Sequence, residues 1–112
     1  MLIGIDLGTT NSAVAIWQDG AASLVPNALG ELLTPSAVSI SRDGQAWVGR
    51  PALDRLAAHP LDTATSFKRL MGTASKTRLG GKEYGAEDLS AIVLGALADD
   101  VAALTGERPT EA

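Results

Sequence analysis

The sequence predicts an α+β fold in which antiparallel hairpins come first and helices pack on them. Short runs of branched and apolar residues fill the N-terminal half, separated by turn residues such as Asp19-Gly20 and Asp43-Gly44. Such runs are typical of hairpins, which pair antiparallel strands. The longest segment with helical periodicity lies later in the chain, at about 87–104. With 112 residues, the chain has the size of one domain with one core.

Composition and charge narrow the class of protein. Apolar residues make up 46% and charged residues 20% of the chain, which is typical of a soluble globular protein. The net charge of −4 argues against nucleic-acid binding, which needs a basic face. The absence of cysteine excludes a disulfide framework and a thiolate metal site. No basic segment precedes the first apolar run, and no run is long enough to span a bilayer. We therefore expect a cytoplasmic protein without membrane contact.

The first predicted hairpin carries the strongest chemical signal. Strands expected at 2–7 and 13–17 flank a polar turn at 8–12, Gly-Thr-Thr-Asn-Ser. The backbone N–H groups of such a turn can converge on an anion once Gly8 adopts a conformation that other residues resist. Asp6 ends the apolar strand, where burial of a carboxylate is costly without a partner.

A divalent cation would reconcile this carboxylate with a neighbouring anion. Two negative groups repel each other, but Mg²⁺ is held by one or two carboxylates plus phosphate oxygens. The hairpin therefore predicts a magnesium–nucleotide phosphate site beside Asp6. It is neither a Walker A loop nor a dinucleotide fingerprint, because the turn leads into a strand and not into a helix. The alternative is a plain hairpin in which Asp6 only braces the turn through local hydrogen bonds.

Further hairpins are expected up to residue 48. Residues 22–25 predict a third strand, and 26–33 a loop. Val38 and Ile40 alternate with serines, which predicts a half-buried strand. Residues 46–48 are its expected partner across the Asp43-Gly44 turn.

Helical patterns begin after Gly49. Pro51 suits the first helical position, and the His59-Pro60 pair ends the segment. Three apolar residues at i, i+3 and i+4 predict its core face: Leu53, Leu56 and Ala57. His59 is the only histidine and is interpreted as a surface residue near a helix end.

A short helix is expected at 65–71, followed by a stop at Gly72. Its predicted core residues are Phe67, Leu70 and Met71. Lys68 and Arg69 lie off that face, and by pattern alone a lysine there is solvated. A short strand near 77–79 is expected to pair with residues 82–84.

The long helix at 87–104 has a continuous apolar stripe. Its members are Leu89, Ile92, Val93, Ala96, Leu97, Val101 and Leu104. A core-facing role is the prediction, with a partner-binding face as the alternative. Asp99-Asp100 is interpreted as a solvated edge and not as a metal pair.

Several motifs of this chain occur in the same order in one chaperone family. In chain order they are residues 3–12 (Ile-Gly-Ile-Asp-Leu-Gly-Thr-Thr-Asn-Ser), 27–28 (Asn-Ala), 34–36 (Thr-Pro-Ser), 48–49 (Val-Gly) and 67–72 (Phe-Lys-Arg-Leu-Met-Gly). The set resembles the seventy-kilodalton heat-shock chaperones (Hsp70 family, DnaK type), and the resemblance covers nearly the whole chain. The short connection after Gly72 is most similar to the HscC-type bacterial branch.

The resemblance implies an actin-like ATPase fold, related to ribonuclease H, of which this chain supplies a half-lobe. Residues 1–112 would be the N-terminal part of the nucleotide-binding domain. The phosphate-hairpin sheet is expected at about 1–36 and a peripheral subdomain at about 37–108. In the family, the chain continues from this point into the next core strand. We therefore expect a sequence that stops before the lobe is complete, without the rest of the ATPase domain and the substrate-binding domain.

The resemblance also implies roles for individual residues. Asp6 would coordinate Mg²⁺ or orient its water, and Gly8, Thr9, Thr10 and Asn11 would cradle the phosphates of ATP or ADP. Lys68 matches the catalytic lysine, whose charge offsets that of phosphoryl transfer and helps to place the attacking water. Thr34 is a further cofactor-binding candidate, although Leu33 replaces the polar residue that many relatives have before Thr-Pro-Ser. K⁺ is a further candidate ion.

The implied activity is a chaperone cycle. Mg-ATP binding and hydrolysis would move two lobes and set the affinity of a peptide-binding domain. The implied partners are unfolded polypeptides, a J-domain co-chaperone and a nucleotide exchange factor. Because ATP lies between two lobes in the family, we expect negligible hydrolysis by this chain alone. An uncovered sheet edge and apolar face would favour self-association.

Three alternatives stay open. A sugar kinase or another ATPase of the actin superfamily shares the turn after Asp6 but lacks the Thr-Pro-Ser and Phe-Lys-Arg segments at these distances. A non-catalytic interaction module would hold a partner without nucleotide, so Mg²⁺-dependent nucleotide binding distinguishes it. The third alternative is a small α+β domain without a site.

Overall fold

A computed structural model describes residues 2–109 of the chain. These residues form an α+β fold with antiparallel sheets and two α-helices, which confirms the predicted fold class. The strands are β1 (Leu2–Leu7), β2 (Asn11–Gln18), β3 (Ala21–Leu24), β4 (Thr34–Pro35), β5 (Ala37–Ile40), β6 (Ala46–Val48), β7 (Thr63–Thr65), β8 (Lys76–Leu79) and β9 (Lys82–Gly85). The α-helices are α1 (Arg50–Asp54) and α2 (Ala86–Thr105), and short 3₁₀ segments span Pro60–Asp62 and Phe67–Leu70.

The first sheet is built on the predicted hairpin. Strands β1 and β2 pair antiparallel, with Asp6 opposite Ala13 and Leu7 opposite Ser12. Strand β2 begins at Asn11, two residues earlier than predicted, because Asn11 and Ser12 also pair with the short strand β4. Strand β3 continues on that same side of β2. The first hairpin is therefore confirmed and is extended by a segment that comes later in the chain.

The two faces of this sheet have different environments. Ile3, Val14 and Ile16 are buried on the face that packs into the core. On the opposite face, which we call the open face, the register places Leu2 beside Trp17 and Asp6 beside Ala13. Trp17 is 53% exposed and Leu2 46% exposed. Within residues 2–109, β1 pairs only with β2.

The second sheet has the order β6-β5-β7. Strand β5 was predicted to be half-buried, but all four of its residues are buried. Ser39 is tolerated there because its hydroxyl accepts a hydrogen bond from Arg55 Nε at 2.8 Å and contacts the Thr63 hydroxyl at 3.0 Å. The Arg55 guanidinium also lies 3.8 Å above the Trp47 ring. A polar cluster therefore fills the side of β5 that the alternating pattern assigned to solvent.

Helix α1 is shorter than predicted, and of the three residues predicted for its core face only Leu53 is half-buried. The helix ends at Asp54, and the next backbone bonds are i to i+3, which tightens the last turn. Ala52 is the fully buried residue, whereas Leu56 and Ala57 are exposed. His59 is exposed, as predicted.

The segment before Gly72 forms a 3₁₀ turn and not an α-helix. Phe67 is 2% exposed and anchors this turn in the core. Met71 was predicted to face the core, but it has extended backbone angles and is 42% exposed. Gly72 follows with a φ of 78°, which agrees with its predicted role as a stop. Lys68 and Arg69 are both exposed.

Helix α2 supplies the centre of the core. Leu89, Val93, Leu97 and Val101 recur every four residues, and each is at most 1% exposed. Leu104 was assigned to the same stripe but is 56% exposed, because it lies in the last turn before Gly106. No helix within residues 2–109 is both long and apolar enough to cross a lipid bilayer.

Candidate functional site

Gly8 opens the first turn (residues 8–11), and its lack of a side chain has a steric reason. A Cβ on Gly8 would lie 2.2 Å from the carbonyl oxygen of Asn11, far inside van der Waals contact. The turn sequence predicted an unusual backbone conformation at Gly8, but the φ of Gly8 lies outside the left-handed region. Glycine is therefore required by the close approach of two backbone segments and not by a positive φ.

Buried Ser36 holds the first turn in place through two hydrogen bonds. Its hydroxyl donates to the Gly8 carbonyl oxygen at 2.8 Å, and its backbone N–H donates to the Thr10 carbonyl oxygen at 2.8 Å. The same hydroxyl is 2.8 Å from that of Ser12. Both serine residues are buried, Ser12 at 1% and Ser36 at 4% exposure. Buried hydroxyl groups need hydrogen-bond partners, and these two find them in each other and in the turn.

The motifs at 27–28, 34–36 and 48–49 meet next to this turn. Asn27 Nδ2 donates to Thr34 Oγ1 at 3.1 Å. Gly49 has a φ of 80°, and a Cβ there would lie 2.9 Å from the Thr34 methyl group. Thr34 is itself buried in β4. The order of these motifs therefore has a packing reason, because Asn27 and Gly49 both contact Thr34 of the 34–36 motif.

A cavity of about 390 Å³, which we call the turn cavity, lies beside the first turn. Its walls combine polar residues from the first hairpin and the end of β7 with one cation and an apolar side. The lining residues are Thr9, Thr10, Asn11, Pro35, Arg50, Leu53, Leu56, Thr65 and Ser66. The structure thus gathers three of the predicted phosphate-binding residues in one concave site. Gly8, Asp6, Lys68 and Thr34 are not part of this lining.

Asp6 lies on the open face of the first sheet, two residues before Gly8. It is exposed, and its cross-strand partner is Ala13. Asn11 is two residues from Ala13 on β2 and shares the open face, because side chains alternate along a strand. Since Asn11 also lines the turn cavity, the open face and the turn cavity share this residue. Burial of the Asp6 carboxylate would have been costly without a partner, but Asp6 is exposed, so that cost does not arise.

Lys68 is an exposed residue close in sequence to the turn cavity. It follows Ser66, which lines the cavity and has left-handed backbone angles, φ 54° and ψ 25°. A non-glycine residue in that region is uncommon and often marks a functional segment. Phe67 anchors the intervening position, so the segment that carries Lys68 is attached to the core.

Arg50 is a site residue that sequence reasoning missed. It lines the turn cavity, and its Nε donates to Glu31 Oε1 at 3.3 Å. Both side chains of this pair are well exposed, and exposed ion pairs contribute little energy. The only signal in the sequence was its position directly after the Val48-Gly49 motif.

A second cavity, of about 500 Å³, lies between the 26–33 loop and helix α2 and shares Arg50 with the turn cavity. Asp99 and Asp100 are on its wall. Burial, together with the charge of Asp99, raises the pKa of Asp100 above the ordinary aspartate value. Asp99 pairs with Arg108. The solvated edge predicted for the two aspartates therefore holds for Asp99, while Asp100 is half-buried. In the part of the chain that the structure describes, no three His, Cys, Asp or Glu residues cluster to hold a metal ion.

Comparison with known proteins identifies the family. The family model described as Hsp70 protein matches residues 2–79. Chaperone protein DnaK of Endomicrobium trichonymphae is 43% identical over 115 residues. That alignment covers 99% of this chain and 18% of the relative, so the chain spans less than a fifth of the relative's length. The antiparallel sheets agree with the actin-like fold of the Hsp70 ATPase domain. The family match and the identity together establish that this chain belongs to the Hsp70 family, DnaK type.

Proposed function

We propose that this chain forms one side of the Mg-ATP site of a DnaK-type chaperone, as the N-terminal part of its nucleotide-binding domain. The observation that carries the proposal is the restrained first turn. Ser36 holds the turn through the Gly8 and Thr10 carbonyl groups, and Thr9, Thr10 and Asn11 line the turn cavity. A turn that is already fixed loses little entropy when an anion binds to it.

The donor groups at this site suit a magnesium ion bridged to phosphate. Mg²⁺ keeps several waters and commonly takes one or two carboxylates plus phosphate oxygens. Asp6 offers one exposed carboxylate near the end of β1, and Thr9 and Thr10 line the turn cavity. When bound, the ion would neutralise charge between the Asp6 carboxylate and the phosphates. Asp6 would hold the ion directly or through water, and K⁺ is a second ion that the site would take.

Lys68 is proposed to act on the same nucleotide. Lys68 directly follows Phe67, which attaches this segment to the core, and Phe67 in turn follows Ser66, which lines the turn cavity. A positive charge there would offset negative charge that develops on the transferred phosphoryl group. Thr34 is the weaker cofactor contact, because its hydroxyl already accepts a hydrogen bond from Asn27.

Removing the Asp6 charge tests the magnesium site. The test uses the complete chaperone that the proposal implies, in the variants Asp6→Asn and Asp19→Asn. Asp19 is an exposed aspartate at the other end of β2, so its variant removes the same charge from the same sheet. We expect calorimetry to detect Mg²⁺-dependent ATP binding that Asp6→Asn weakens about tenfold or more and Asp19→Asn leaves unchanged. ATP binding that is independent of Mg²⁺ and unaffected by Asp6→Asn would refute the proposal.

The cellular role follows from the family. We propose that ATP turnover in the complete protein sets the affinity for unfolded polypeptides, with a J-domain co-chaperone and a nucleotide exchange factor as partners, in the cytoplasm. The short connection between Gly72 and β8 supports the HscC-type branch. Determining the coding sequence after residue 112 tests the parentage: a second Gly-rich phosphate hairpin downstream is the expected result, and its absence would contradict it.

A further inference from the structure

The two buried serine residues form a hydroxyl chain with a fixed direction. The Ser36 hydroxyl donates to the Gly8 carbonyl oxygen at 2.8 Å. A hydroxyl group has one hydrogen, so Ser36 must accept in its 2.8 Å contact with Ser12. The chain therefore runs from Ser12 to Ser36 to Gly8. Removing Ser12 leaves the contact with the turn intact, whereas removing Ser36 breaks it.

The contacts of Ser36 also fix the orientation of two peptide groups in the first turn. One contact fixes the Gly8–Thr9 peptide through the Gly8 oxygen, and the backbone N–H of Ser36 fixes the Thr10–Asn11 peptide through the Thr10 oxygen. In a planar trans peptide the C=O and N–H bonds point in opposite directions. The N–H groups of Thr9 and Asn11 therefore point away from the buried Ser36.

We infer that Ser36 is a positioning residue of the nucleotide site. It holds the Gly8 and Thr10 carbonyl groups inward and thereby presents the Thr9 and Asn11 amides to an anion. The inference rests on the proposed function, because it assigns the phosphates of ATP or ADP to these amides. Ser36 lies between β4 of the first sheet and β5 of the second, so the residue that orients the turn is also the link between the sheets.

Backbone relaxation of the 112-residue chain tests the orientation of the turn directly. We expect a ¹⁵N order parameter at Thr9, whose N–H belongs to the peptide that the Ser36 hydroxyl fixes, of about 0.85 in the unmodified chain and below about 0.6 in Ser36→Ala. Ser12→Ala is the matched control, since Ser12 is equally buried but does not contact the turn carbonyl groups. Its order parameters should equal those of the unmodified chain.

A double variant separates loss of the turn contact from a second effect. Ser36→Ala leaves the Ser12 hydroxyl buried without an acceptor, whereas Ser12→Ala combined with Ser36→Ala removes that hydroxyl as well. The double variant should remain as loose as Ser36→Ala. Unchanged order parameters in Ser36→Ala, or recovery in the double variant, would overturn the inference. If Ser36→Ala does not fold, Ser36→Cys replaces it in the same comparisons, because a thiol is a weak donor of similar shape.

Nucleotide affinity in the complete protein supplies the functional test. The dissociation constant for Mg-ATP should rise about tenfold in Ser36→Ala, which corresponds to about 1.4 kcal/mol, and stay unchanged in Ser12→Ala. Equal affinity in Ser36→Ala and the unmodified protein would overturn the inference. Absence of Mg-ATP binding in the unmodified protein would instead refute the proposed function, and the relaxation data would still decide whether Ser36 orders the turn.

Discussion

Replacing Gly8 with alanine tests the steric argument for the first turn. A Cβ would lie 2.2 Å from the Asn11 carbonyl oxygen, whereas ordinary contacts begin at 3.4 Å, so the turn must open by about 1.2 Å. Crowding of this kind typically costs about 1–3 kcal/mol. The opening would also strain the 2.8 Å bond between Ser36 and the Gly8 carbonyl oxygen. We therefore expect Gly8→Ala to lower the free energy of unfolding by about 1–3 kcal/mol.

Gly4→Ala is the matched control. Gly4 lies in β1, the strand that leads into the first turn, and a Cβ there would meet no atom within 4 Å. Both substitutions reduce the conformational entropy of the unfolded chain equally, so that contribution cancels between them. Gly4→Ala should be neutral or should stabilise the chain by up to about 1 kcal/mol. Urea denaturation followed by circular dichroism measures both values.

The comparison has a clear negative outcome. If Gly8→Ala and Gly4→Ala agree within about 0.5 kcal/mol, the close approach of Gly8 to Asn11 does not limit the residue at this position. The packing explanation of the first turn would then be wrong, and the case for a restrained anion site would lose its support.

Three further predictions address the site and the core. Lys68→Ala should reduce ATP hydrolysis by the complete protein about a hundredfold, while Arg69→Ala leaves it unchanged; equal rates would remove Lys68 from the mechanism. Phe67→Ala should lower the free energy of unfolding by about 3–5 kcal/mol in urea denaturation, and a loss below about 1 kcal/mol would contradict its anchoring role. The Gly72 N–H donates to the Glu87 carboxylate and lowers the pKa of Glu87. This contact therefore stabilises the fold fully at pH values above the ordinary glutamate pKa. The stabilisation is lost as the pH falls through the lowered pKa, because Glu87 then becomes protonated. Urea titrations of Glu87→Gln at decreasing pH should therefore converge with the unmodified chain in acid, and a constant difference would contradict the assignment.

Local patterns were sufficient to predict the hairpins and the long helix. The Asp19-Gly20 and Asp43-Gly44 turns each join paired strands, because the glycine adopts the positive φ that tight turns need, 77° at Gly20 and 89° at Gly44. The spacing of Leu89 and Val93 likewise identified the buried face of α2, since packing and periodicity agree there. In these segments the local signal agrees with the packing, whereas the equally local spacing of Leu53, Leu56 and Ala57 does not, because helix α1 ends at Asp54.

Interactions between distant segments could not be predicted in the same way. Ser39 and Ser36 look like ordinary polar residues, and their partners lie 16 or more positions away in the chain. Met71 carried an apolar signal but is exposed, because the 3₁₀ turn ends before it. The candidate site was therefore foreseen through its motif at residues 8–11, while the serine residue that holds this motif was not.

The location of Asp6 restricts what can settle on the first sheet. The exposed side chains of Leu2 and Trp17 favour contact of the open face with an apolar surface, but the Asp6 carboxylate lies on that same face. Sealing the acid against dry hydrocarbon would carry a large desolvation penalty. A molecule that binds to the open face must therefore supply a cation for Asp6 or leave the Asp6 carboxylate accessible to water. Entirely apolar surfaces are therefore disfavoured as partners, even when their shape is complementary to the open face.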